Sequence, residues 1–313
     1  MKRRILVTGG WGMVGRSLRQ VLKNEKVFFP TRQEVDFLNK EDTERAFSVY
    51  KPTHVIHLAA RVGGLKDNME NQAEFFEQNV QMALNVLGTA AKFDCEKTVS
   101  LLSSCIYPDK IEYPIEAEKL HDGPPHPSNF GYAYAKRMID VYGRALNQKL
   151  GRTAFVTLVP NNLYGPNDNF DLETSHFIPA LIRKFADFKE NGTPIVMWGT
   201  GKPEREFTYS TDICKIIMKA LILYDKEEPL NIGNPTNYQI VDVVNLMCEI
   251  ADVDPDTIQW DLMKPDGQQK KPTKVDLTFL HWDQEDFTPL KKGLTETWNW
   301  FLNERKERIR GMK

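Results

Sequence analysis

The chain has 313 residues, 41% of them hydrophobic, enough to bury a large core in one big domain or two interlocked ones. Lys and Arg total 41 against 43 Asp and Glu, and a net charge of -2 gives no general attraction to nucleic acid or an anionic membrane, so any phosphate binding must be local. The four cysteines (Cys95, Cys105, Cys214, Cys248) form no CxxC pair, which argues against a metal site or disulfide framework and fits a reducing cytoplasm.

Short β-branched or apolar runs alternate with longer stretches of helical period from the first residues onward, which predicts neither a secretory leader nor a membrane span. Residues 4–8, 26–29, 54–58, 98–103 and 154–159 are expected to be strands, and 14–24, 42–50, 70–93 and 130–150 helices. The expected class is α/β: a Rossmann-type doubly wound parallel sheet with a smaller C-terminal substrate-binding region. Residues 1–160 read as the dinucleotide-binding domain and 161–313 mainly as the substrate region, where loops rich in Asn, Gly and Pro break the rhythm. A helix at 211–224 suggests that 211–232 returns to the first domain. A last helix at 289–310 carries an apolar stripe of Leu294, Trp298 and Phe301.

Directly after the first strand stands Gly9-Gly10-Trp11-Gly12-Met13-Val14-Gly15, then a helix. Glycines are needed there for the sharp turn, for approach to a pyrophosphate and for helix packing, while the helix start offers free N–H groups to an anion. Cofactor choice rests on the end of the second strand, where an acidic residue would hold a ribose 2′-hydroxyl. Arg32 stands there instead, and a guanidinium favours NADPH over NADH; a solvated loop arginine is the plainer alternative.

At the head of the 130–150 helix, Tyr132 and Lys136 lie one turn apart on a single face. A phenol that donates and regains a proton needs help to ionise, and a nearby ammonium supplies it. Ser103 at the end of the fourth strand is placed to hold a carbonyl oxygen. The order glycine cradle, serine strand end and YxxxK predicts a carbonyl reductase site.

With those motifs in hand, the sequence resembles the extended short-chain dehydrogenase/reductases, and within them the family of 3,5-epimerase-4-reductases that act on GDP-4-keto-6-deoxy-D-mannose. The resemblance covers nearly the whole chain and is carried by residues 57–64 (HLAARVGG), 103–108 (SSCIYP), 129–136 (NFGYAYAK), 162–166 (NLYGP) and 198–201 (WGTG). Related dehydratases carry Thr-Asp-Glu where this chain has Ser103-Ser104-Cys105, so dehydration is not expected. The resemblance implies Tyr132 as proton donor, Lys136 on the cofactor, Ser103 on the ketone, and Cys105 with His176 as the pair that moves protons during epimerisation. It extends the NADP contacts to Asp36, Leu58, Ala59, Ala60, Pro160, Asn161, Asn162, Leu163 and His176, and places Lys184, Trp198, Arg205, Asp266 and Lys271 around the GDP-sugar. It also implies a homodimer through the 70–93 and 130–150 helices.

Some members carry arginine where Trp11 stands, and others where Lys184 stands, which leaves Arg32 as the main argument for NADPH. On the residues alone Cys105 could be a small buried hydrophobe and His176 a helix cap. The same chemistry on another nucleotide-linked keto-deoxysugar, or a non-catalytic NADPH-sensing protein, remain the alternative readings.

Overall fold

Ile5, Leu6 and Val7 are all fully buried, as a strand covered on both faces by helices requires. The computed structural model describes residues 3–264 and 266–304. In chain order the first half runs β1 (Arg4–Thr8), α1 (Met13–Val21), β2 (Lys26–Phe28), α2 (Lys40–Tyr50), β3 (His54–His57), α3 (Leu65–Glu70), α4 (Gln72–Lys92), β4 (Lys97–Leu101), α5 (Phe130–Leu150) and β5 (Phe155–Pro160). The second half adds β6 (Asn162–Tyr164), α6 (Phe177–Asn191), β7 (Val196–Trp198), β8 (Glu204–Tyr209), α7 (Ser210–Leu223), β9 (Leu230–Ile232), β10 (Asn237–Gln239), α8 (Ile240–Ala251), β11 (Gln259–Asp261) and α9 (Leu290–Glu304).

Six strands form one parallel sheet in the order β2-β1-β3-β4-β5-β9. Its growth reverses between β1 and β3, the switch point whose carboxyl ends open a ligand crevice. One face carries a core of Phe47, Val86, Leu87, Ile139 and Leu146 from α2, α4 and α5. The other packs Leu18 of α1 against Ile213, Ile216 and Ile217 of α7. A third core, with Phe185, Met247, Leu294, Trp298 and Phe301, belongs to α6, α8 and α9, beside the small sheets β10-β8-β6 and β11-β7.

Two expectations change. The segment 70–93 is not one helix: Asn71 sits at φ −126, ψ 39, ends α3 by donating from its amide to Asp67 Oδ1 at 2.8 Å, and offers its carbonyl to Phe75 N at 3.0 Å to begin α4. A short polar side chain that bonds the neighbouring turn competes with helix continuation, which hydrophobic periodicity does not register. The last helix is described to Glu304, and residues 305–310 lie outside the described residues. Residues 210–232 contain α7 and β9: Ser17 Oγ donates to Ser210 Oγ at 2.9 Å, and β9 pairs with β5. No helix among the described residues is long and apolar enough to cross a membrane.

Candidate active site

The glycine loop joins β1 to α1. Gly9 holds φ 67, and a Cβ there would stand 2.7 Å from Ala59 N, so only glycine lets the loop lie on the β3 end. Gly15 likewise has no room for a Cβ against Gly10, which allows α1 to press onto the loop. Gly12 is the N-cap of α1 with no side-chain cap, and the first intrahelical bond is Arg16 N to Gly12 O at 2.9 Å. The N–H groups of Met13, Val14 and Gly15 are therefore without helical acceptors, an anion-binding helix start. Thr8 Oγ1 accepts from Ala59 N at 3.1 Å and bonds His57 Nδ1 at 2.8 Å, fixing the path of Leu58, Ala59 and Ala60 beside the cradle.

Arg32 is exposed beyond β2, on a turn that Glu34 ties by accepting from Thr31 N at 2.7 Å and Thr31 Oγ1 at 2.9 Å. Asp36 accepts from Leu38 N at 3.1 Å, which shapes the same loop.

At the end of β4, Ser103 starts a short turn that carries Cys105. Helix α5 brings Tyr132 and Lys136 alongside. The Lys136 ammonium is buried, donates to Leu101 O at 2.9 Å, and lies 5.9 Å from the centre of the Tyr132 ring. Burial pushes its pKa down to about 8. Burial pushes the Tyr132 phenol up, aided by the neighbouring Cys105, while a hydrogen bond from Ser103 works the other way. The Cys105 thiol is raised by burial and eased back by Ser103, Lys271 and Lys136 in turn. Ser103 thus touches the energetics of both titrating groups.

Two adjoining cavities open here. One of about 170 Å³ is lined by Cys105, Asn161, Arg205, Glu206, Lys271 and Thr273 among others; one of about 320 Å³ includes His176, Phe177, Phe207 and Asp266. Asn162 and Arg205 line both. Cys105 lines the smaller cavity and His176, at the N-cap of α6, the larger one that shares Asn162 and Arg205 with it. The segment bearing Lys271 is strapped down by Glu206, a buried carboxylate that accepts from Thr273 N at 2.8 Å and Thr273 Oγ1 at 2.6 Å. Asn161 donates to Asn234 O at 2.8 Å and accepts from Thr208 Oγ1 at 2.6 Å, locking the end of β5.

Residues 5–233 match the model of a family described as "NAD dependent epimerase/dehydratase family". A GDP-L-fucose synthase of Dictyostelium discoideum is 43% identical over 96% of each chain. The chain belongs to this family and to its GDP-L-fucose synthase group. A solved GDP-L-fucose synthetase from Naegleria fowleri, bound to NADP, superposes with a TM-score of 0.91 at 38% identity, covering 98% of this chain and 94% of that one. A GDP-L-colitose synthase of Yersinia pseudotuberculosis is 31% identical over 96% of this chain and 99% of its own.

Within the architecture of this epimerase/dehydratase family, Ser103, Cys105, Tyr132 and Lys136 come together at the carboxyl end of the sheet, with Asn161, Asn162, Arg205 and Lys271 on the smaller cavity and His176 on the larger. Pro160 closes β5 and Leu163 lies in β6 on the same side. Three further expected substrate residues have partners within the chain, Asp266 among them on the larger cavity. Lys184 on α6 donates to Val196 O at 2.6 Å. Asp266 accepts from Thr200 N at 2.5 Å and Thr200 Oγ1 at 2.8 Å, so its carboxylate shapes the 199–201 turn. Trp198 is 62% exposed at the end of β7, with Lys264 over its ring at 5.3 Å.

Sequence reasoning missed Glu206, Thr273 and Arg19. For Glu206 the signal available was an acidic residue inside the otherwise buried run of β8. For Arg19 it was the spacing from Arg16, which puts two cations on one face of α1 beneath Trp11.

Proposed function

We propose that the chain converts GDP-4-keto-6-deoxy-D-mannose to GDP-L-fucose, by epimerisation at carbons 3 and 5 and NADPH-dependent reduction of the carbon 4 ketone. The observation that carries this reading is the pair of adjoining cavities, one lined by the Cys105 thiol and the other by the His176 imidazole, beside the Ser103, Tyr132 and Lys136 side chains. An enzyme that only reduced would have no use for that thiol and imidazole.

The cradle suits NADPH. The free N–H groups of Met13, Val14 and Gly15 would hold its diphosphate, Lys136 its ribose, and Arg32 its added phosphate, with Asp36 shaping that loop and Leu58, Ala59, Ala60 and Pro160–Leu163 beside it. NADPH supplies the hydride when bound.

Cys105 Sγ, as the thiolate, takes the proton from a carbon beside the ketone and becomes the thiol, while His176, as the imidazolium, returns one from the opposite face and becomes neutral. Ser103 Oγ and Tyr132 Oη hold the carbon 4 oxygen while negative charge gathers on it, and Tyr132, kept as a full phenol by burial, then gives up its proton there. Lys271 and Arg205 supply positive charge in the smaller cavity. Trp198, Lys184 and Asp266 form the outer rim, where a guanine or diphosphate would rest.

Residues 1–160 with 211–232 serve as the cofactor half, and 161–313 mainly as the substrate half. Phe76 and Leu84 on α4 and Val141 on α5 are exposed, an apolar surface suited to a second copy of the chain. The chain is assigned to the cytoplasm as a homodimer, and light scattering tests the assembly.

The deciding experiment mixes purified protein, NADPH and freshly made GDP-4-keto-6-deoxy-D-mannose and identifies the product by NMR. GDP-L-fucose establishes the reading. A reduced but uninverted sugar removes the roles of Cys105 and His176. The GDP-L-colitose synthase relative favours a second reading, the same chemistry on a related keto-deoxysugar. Turnover of such a substrate, or of a UDP- or dTDP-linked one, in preference to the first would select it. Full biological effect in a Tyr132→Phe variant would point instead to a silent NADPH sensor.

A further inference from the structure

Arg19 on α1 is held in an unusual place. Its guanidinium carbon lies 4.1 Å from the centre of the Trp11 ring and 4.2 Å from that of Phe29, so the side chain bridges the glycine loop and the residue after β2. Trp11 is pinned in turn: its indole N–H donates to Phe29 O at 3.0 Å, and Arg16 Nε donates to Trp11 O at 3.1 Å. Helical side chains lean toward the N-terminus, which brings Arg19 back under the loop.

Arg19 Nε and Nη2 are out of solvent with no acceptor among the described residues. Burial and the like charge of Arg16 both work against its cationic form, and neither cause is a carboxylate. The acidic group closest in sequence to Arg32, Glu34, is spent on Thr31. Partial burial of a cation beside another, with aromatic faces as its chief company, is costly unless an anion arrives. The place is equally telling: in a doubly wound fold the space between the glycine loop and the end of the second strand receives the adenosine ribose.

We infer that Arg19, clamped between Trp11 and Phe29, is the principal anchor for the 2′-phosphate of NADPH, with Arg32 as the second cation, so that Trp11 acts as a positioning residue for the arginine beneath it. The inference rests on the dinucleotide reading above. Its chemistry is a dianion met by a planar, weakly hydrated guanidinium whose stack fixes its plane before binding.

Calorimetry with 2′,5′-ADP and with 5′-ADP isolates the added phosphate from turnover. The wild type binds 2′,5′-ADP more tightly. Arg19→Gln loses 2′,5′-ADP affinity by about ten- to a hundred-fold while 5′-ADP binding changes less than about two-fold. Trp11→Leu loses a smaller factor, again only for 2′,5′-ADP. Should Arg19→Gln fail to fold, Arg19→Lys carries the test, with a few-fold loss confined to 2′,5′-ADP because the point charge lacks the planar stack. Equal losses for both nucleotides, or none, overturn the inference, as does a wild type that binds both alike. A wild type that binds neither overturns the dinucleotide reading itself.

Discussion

The Lys136 ammonium and the Leu101 carbonyl meet at 2.9 Å, which fixes the lysine's charge beside the Tyr132 ring rather than in solvent. Burial holds its pKa at about 8, below the ordinary lysine value, so the charge is present at neutral pH and lost as the pH rises through that region. The rate constant kcat/KM for reduction is expected to fall along an alkaline limb near pH 8, and Lys136→Arg to remove that limb. A flat profile to pH 10 in the wild type would exclude Lys136 as the group responsible.

The two halves of the chemistry should separate by mutation. Tyr132→Phe is expected to lower reduction by about 10²- to 10⁴-fold while leaving solvent deuterium exchange into the carbons next to the ketone, read by NMR. Cys105→Ala should do the reverse, suppressing exchange and releasing a reduced sugar with unaltered stereochemistry, and His176→Asn should block inversion while Cys105 still exchanges the proton on its own face. Loss of both activities in every variant would mean that the assignments of Tyr132 and Cys105 are not separable.

Glu206 is the strap's fastener. Glu206→Ala leaves the Thr273 N–H and hydroxyl without their acceptor in a buried site, at a cost of about 1–3 kcal/mol per unsatisfied group. Urea unfolding should show that loss. Because the segment carrying Lys271 is no longer tied to β8, KM for the sugar nucleotide should rise more than kcat falls. An unchanged KM in a destabilised variant would confine Glu206 to stability.

His57 is fully buried and bonded to Thr8 through Nδ1, and burial holds its pKa at about 3 against 6.5 for a free imidazole. Between those values the unfolded chain binds the extra proton, so stability present above about pH 6.5 is lost as the pH falls, by about 1.4 kcal/mol per pH unit at full slope. His54 is shifted in the same direction by burial. Denaturant midpoints measured from pH 7 to pH 4 should fall steadily, and His57→Phe should flatten part of that decline. Equal slopes in the two proteins would remove His57 from the account.

The sequence disclosed the first half of the molecule well because its signals are local. A buried parallel strand such as Arg4–Thr8 is apolar throughout, and Phe130–Leu150 keeps one period for its entire length. The pairing of Tyr132 with Lys136 was legible for the same reason: they are four residues apart on one helix. What escaped depends on contacts between distant segments. Nothing near Arg19 announces Phe29, and nothing near Glu206 announces Thr273, 67 residues later. The small sheets of the second half, three residues to most strands, are too short for periodicity to speak.

Because α7 and β9 leave the second half to cover α1 and extend the main sheet past β5, a cut near residue 160 would strip the Leu18 face of α1 and the open side of β5. Chimaeras between relatives that aim to exchange sugar preference therefore cannot be made with a single crossover. They need two cassettes, one from about residue 161 to the start of α7 and one from the end of β9 onward, with α7 and β9 kept native to the main sheet they complete.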